Sequence, residues 1–123
     1  MSQPRFTTTP FIAVQETPDH PGLTDLHMFG GREGNLNLRF YSMDLLVVKD
    51  RVFEVLSSDR SIRMKVDLVN HQRVLVSLTR RGVTTLHQLS HPKWGLIFLP
   101  LVAHLKRIQR TGMIDEDYQG GGL

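Results

Sequence analysis

Cysteine is absent from the 123 residues. That removes disulfides, thiol nucleophiles and thiolate metal sites, and it fits a reducing intracellular compartment, cytoplasmic or nuclear. Long apolar runs are scarce as well. The longest, Trp94 to Ala103, is too short to span a bilayer, so no transmembrane segment is expected. The first residues lack the apolar stretch of a signal peptide. No His-Glu-x-x-His pattern occurs, and Ser57 and Ser58 have no nucleophile-elbow context. Gly30, Gly31 and Gly34 lack the spacing of a phosphate-binding fingerprint and read as a hairpin or turn. Acids are nearly missing from one long stretch. Between Arg60 and Thr111 there are ten lysines and arginines against the single acid Asp67, a net of +9. The rest of the chain carries five bases and eleven acids, a net of −6.

Two opposed charge blocks therefore hide behind an overall charge of +3. Clustered cations attract phosphate polymers without demanding a particular base sequence. The candidate nucleic-acid contacts, to DNA or RNA, are Arg60, Arg63, Lys65, Arg73, Arg80, Arg81, Lys106, Arg107 and Arg110. The first expectation is a non-enzymatic interaction module that binds an anionic partner, above all nucleic acid, through a basic face. The residues themselves require no cofactor.

The length predicts one small domain over residues 1–123, with flexible ends at 1–10 and 112–123. Apolar residues alternate at Leu36, Leu38 and Phe40, and again at Ile62, Met64, Val66 and Leu68. Both stretches are half-buried strands by period. Val74 to Leu78 reads as a more central strand, because both of its faces are fairly apolar. Phe11 to Val14, Met43 to Val48, Val52 to Leu56 and Val83 to Leu89 supply further short segments. Asp50-Arg51, Ser57 to Arg60, Val69 to Gln72 and Arg80-Arg81-Gly82 supply turns. Val47 to Ser57 and Thr84 to Leu89 also admit a helical reading. The fold class is mainly β or α+β: a compact antiparallel sheet, barrel or sandwich with one C-terminal amphipathic helix.

That helix is expected from about Pro100, which suits a first turn, to Arg110. Trp94, Leu101, Leu105 and Ile108 then form a candidate interface, either for a second copy or for a partner protein. Trp94 also reads as a core anchor, or as a platform for a base. Asp25 and His27 would share one face of a strand, near His20, and are read as a polar rim before a metal pair. His87 and His91 lie four apart, a weak metal spacing broken by Pro92.

The run Gly112-Met113-Ile114-Asp115-Glu116-Asp117-Tyr118-Gln119-Gly120 resembles the catalytic-loop motif of the trimeric dUTPase family, Gly-x-Ile-Asp-x-x-Tyr-x-Gly. Trp94 to Ile97 and Pro21 to Leu26 are similar to two further patches of that family. The resemblance implies three jelly-roll-like chains with composite sites that cleave between the α and β phosphates of dUTP with magnesium. It would have Asp115 orient water, Tyr118 pack against the deoxyribose and Asp25 support the metal. The family's Arg-Ser-Gly phosphate motif is missing between Trp94 and Gly112. By resemblance, the alternative reading is therefore a divergent, inactive nucleotide hydrolase.

Overall fold

Alternation along each strand sets which side of a sheet it serves. The computed structural model describes residues 11–17, 20, 22–29, 35–111 and 118–121. The stretches 1–10 and 112–117 and the Gly30, Gly31 and Gly34 loop lie outside them. The elements run β1 (Phe11–Glu16), β2 (Leu23–Phe29), β3 (Asn35–Tyr41), a 3-10 turn (Ser42–Asp44), β4 (Leu45–Lys49), β5 (Val52–Leu56), β6 (Arg63–Asn70), β7 (Arg73–Arg80), β8 (Val83–Ser90), α1 (Trp94–Thr111) and β9 (Tyr118–Gly121). They form two antiparallel sheets, ordered β3-β2-β1-β9 and β4-β5-β6-β7-β8. The β-rich class with one C-terminal helix holds. The strands make two separate ladders rather than one closed ring, which selects the layered arrangement over the barrel.

The two sheets share one core. Ile12, Val14, Leu26, Met28 and Phe40 line the first sheet's inner side, and Phe53, Val55, Met64, Val66, Leu68, Val74 and Val76 the second's. Along β6 the buried Met64, Val66 and Leu68 alternate with the outward Arg63, Lys65 and Asp67, as a period of two requires. The two segments with a helical alternative are both strands, β4–β5 and β8. Ladder pairing with their neighbours decides what local pattern left open. Tyr118–Gly121, the described part of the C-terminal stretch, pairs with β1 as a sheet strand.

The helix begins six residues before the expected start at Pro100. Its first turn is fixed from outside: the Trp94 amide donates to the His91 carbonyl (3.2 Å) and the Gly95 amide to that of His71 (2.8 Å). Gly95 sits so near His71 that an added Cβ would meet the His71 Cα at 3.2 Å. Pro100 lies inside the helix. It removes the bond to the Leu96 carbonyl, a cost of about 3 kcal/mol in a helix interior. Leu96 and Pro100 are both exposed, so water can take that carbonyl. Burial of Trp94, Ile97 and Phe98 offsets the cost at about 1.5–3 kcal/mol per large side chain. The Phe98 ring stacks on Phe53, with centroids 5.9 Å apart.

The expected interface is corrected by the same packing. Trp94, Leu101, Leu105 and Ile108 are each 1% exposed or less. The chain's own sheets cover them, and they present nothing to a second chain. The exposed apolar side of α1 is instead Leu96 and Leu99. No helix among the described residues is long and apolar enough to cross a membrane.

Candidate anion-binding surface

Antiparallel register decides where the cationic block goes. Leu56 pairs with Arg63, Arg63 with Thr79, and Arg80 with Val83. The β5–β6 and β7–β8 turns therefore lie at the same end of the five-stranded sheet. Arg60, Arg63, Arg80 and Arg81 are gathered there from two separate hairpins.

Both turns hold an arginine in the left-handed region. The β7–β8 turn has Arg81 at φ 53° and Gly82 at φ 78°. Positive φ at both central residues is the type I′ geometry, whose twist matches that of the flanking strands. Arg60 has φ 65°. Among the described residues these two arginines are the non-glycine residues with positive φ. A residue with a Cβ costs about 1–2 kcal/mol in that region relative to the right-handed one, and such costs collect where function holds them. Arg81→Asn should therefore stabilise the fold by about 1 kcal/mol, because Asn tolerates the left-handed region. Urea unfolding measures this; equal or lower stability would contradict the strain.

A hydrogen-bonded clasp fixes the other turn. Asp59 Oδ1 accepts from Ser57 Oγ (2.7 Å), from Ser61 Oγ (2.6 Å) and from the Ser61 amide (3.0 Å). Ser57 Oγ in turn accepts from the Ile62 amide (3.0 Å). The Ser58 amide donates to the Arg39 carbonyl of β3 (2.7 Å), tying the turn to the other sheet. The serine bonds hold the Asp59 carboxyl down from 3.8 to about 2. A depressed carboxyl stabilises the fold fully above its unfolded value and loses that contribution as pH falls through the folded one. The stability gap between the wild type and Asp59→Ala should thus be constant above about pH 4 and close towards pH 2. Thermal unfolding across that window checks it.

Charge partners separate the nine nominated cations. Arg60 Nη1 lies 3.7 Å from Asp44, and Lys106 is paired with Asp50. That pairing lowers the Asp50 carboxyl, chiefly through the hydrogen bond. The Arg107 guanidinium lies 3.1 Å from His104 Nδ1. Lys65 stands opposite Glu54 on the outer face. Arg73 pairs with Ser90 at the far end of the sheet, and Arg110 closes the last turn of α1. Arg63, Arg80 and Arg81 have no carboxylate within 4 Å among the described residues. The single basic face expected from the sequence is thus one arginine-rich end plus scattered, partly neutralised cations.

Beside that end lies a groove of about 280 Å³ lined by Ile62, Leu78, Arg80, Val83, Thr85 and His87. Sequence reasoning missed it. Ile62 and Leu78 read simply as core, but they are only partly buried and line this groove.

Other expectations fall elsewhere. Trp94 is buried and offers no face to a base. Asp25 and His27 do share one face of β2, in a polar groove of about 610 Å³ with Gln15, Asn37 and Arg39. Asp25 is paired with Arg39 at 2.6 Å, and the hydrogen bond raises the guanidinium's pKa. No cluster of three metal-ligating side chains occurs among the described residues. His87 is in β8 and His91 beyond its end, where Nδ1 accepts from the Lys93 amide (3.1 Å), so the two do not share a helical face. Asp115 lies outside the described residues, and Tyr118 opens β9 in register with Val14.

Comparison with known proteins returns no counterpart: no family model, curated protein or solved structure matches the chain. The fold and this surface define the class as a two-sheet β protein with a C-terminal helix and an arginine-rich sheet end.

Proposed function

We propose that the protein is a non-enzymatic interaction module that binds nucleic acid through the end of its second sheet. The observation that supports this reading is the convergence of Arg60, Arg63, Arg80 and Arg81 from two hairpins, two of them in the left-handed region. Guanidinium forks suit phosphate oxygens, and a rigid hairpin lowers the ordering cost of presenting them. Hydrogen bonding to phosphate positions a strand without reading its bases. Contacts of this kind carry no sequence information, so discrimination between base sequences should be weak.

The test is a salt titration of binding to short single-stranded DNA, single-stranded RNA and duplex DNA. Binding should weaken linearly in log–log form, with a slope of about 0.7 per contacted phosphate on single strands and about 0.9 on duplex. Absence of binding at low salt ends the proposal, as does affinity that is insensitive to salt.

A further inference from the structure

The strand at the margin of the second sheet, β8, has one hydrogen-bonded neighbour among the described residues, β7. It is eight residues long and pairs with β7 from Arg73–Ser90 to Arg80–Val83 without a register shift. Val83 to Ser90 contains no charged residue and no proline. Open edges of this kind are normally blunted by charge, proline, a bulge or a cover. The opposite margin, β4, has such devices: a register shift between Val47 and Lys49, and the Gln109 side-chain oxygen accepting from the Val47 amide (2.7 Å). In the other sheet, β3 is met by the Ser58 amide at the Arg39 carbonyl. β8 has nothing equivalent among the described residues, and Val83 and Leu86 are 67% and 63% exposed.

We propose that β8 pairs antiparallel with β8 of a second copy, about a two-fold axis at Leu86. The hairpin geometry is compatible with this register, and Leu86 is the exposed apolar residue at the middle of the strand. In a two-residue type I′ hairpin, the residues flanking the turn bond to each other, so Val83, Thr85 and His87 direct their backbone groups to β7. Thr84, Leu86 and Gln88 direct theirs to the open edge. A two-fold at Leu86 then makes Leu86–Leu86 and Thr84–Gln88 hydrogen-bonded pairs across the interface. Leu86 meets its own copy, and Val83 comes opposite Leu89. No charge faces another along the strand, so the edge is complementary to itself, as a two-fold interface requires. The inner sides of both sheets stay on one side, placing the two Ile62–His87 grooves next to each other.

The rim has the opposite character. In this register Arg81, in the β7–β8 turn of one copy, comes near His91 and Lys93 of the other. Salt screens that repulsion. The dimer should therefore tighten as salt rises, whereas nucleic-acid binding at the arginine end weakens, so the two proposals fail independently.

Sedimentation velocity of the full chain over a concentration series, at low and high salt, tests the dimer. Leu86→Lys sets the new charge against its own copy, and Leu86→Pro removes an outward amide without touching the β7 ladder. Each should weaken dimerisation about tenfold or more. Circular dichroism should show the strand content kept, since Leu86 is exposed. A monomeric wild type at all concentrations overturns the proposal, including the case where the edge takes an extended peptide of another protein. A dimer indifferent to both substitutions overturns it too.

Discussion

Trp94→Ala is expected to cost about 3–5 kcal/mol, the largest loss of any single truncation in this chain. Trp94 is the bulkiest of the fully buried side chains, at 1% exposure. It also stands at the junction between β8 and α1, where the His91 carbonyl accepts from its amide. Removing the indole leaves a cavity under the first helical turn. That turn is already weakened, because Pro100 cannot donate to the Leu96 carbonyl. Against a total stability of about 5–15 kcal/mol, the loss brings the fold near its limit. Urea unfolding followed by circular dichroism measures it, since the variant loses its only tryptophan reporter. Trp94→Phe separates the two readings of this residue. It should lower stability by less and leave nucleic-acid affinity unchanged; a loss of affinity in a folded Trp94→Phe protein would restore the stacking role.

The misjudged helix start and the correct strands share a cause. β3 and β6 were legible because one face of each is buried and the other is not, as at Met64, Val66 and Leu68 against Arg63 and Lys65. β8 was ambiguous because most of its side chains are exposed, which is the condition of an edge strand and leaves no buried period to read. β2 was nearly invisible. Its inward Thr24, Leu26 and Met28 include a threonine, and its approach through Pro21 and Gly22 has the composition of a loop. At α1, proline's preference for a first turn was outweighed by tertiary contacts, the His71 carbonyl and the buried Trp94, that no local rule contains.

The candidate site was half legible for a related reason. Charge was countable, but its neutralisation was not. Asp44 and Asp50 belong to the acidic part of the chain, and folding brings them to Arg60 and Lys106. Arg80-Arg81-Gly82 was readable as a turn. The left-handed backbone at Arg60 and Arg81 was not, because arginine is not a residue that advertises it.

Those distinctions set the last expected result. Reversing Arg63, Arg80 and Arg81 together to Glu should reduce nucleic-acid affinity on the order of 1,000-fold at low salt, at roughly 1.5 kcal/mol per charged hydrogen bond to phosphate. All three are exposed, and none has a carboxylate within 4 Å among the described residues, so no folded ion pair is broken. The salt slope should fall by about 0.7 for each phosphate of a single strand that is no longer neutralised. The reduction should be the same for every base sequence, because phosphate contacts carry no sequence information. Arg73→Glu removes a cation from the same charge block at the opposite end of the same sheet. If affinity follows the total charge of the block, Arg73→Glu should weaken binding about as much as one substitution at the arginine end. If the two hairpin turns form the binding surface, it should have little effect. Equal weakening from either end would show that the gathering of arginines by strand register has no bearing on binding.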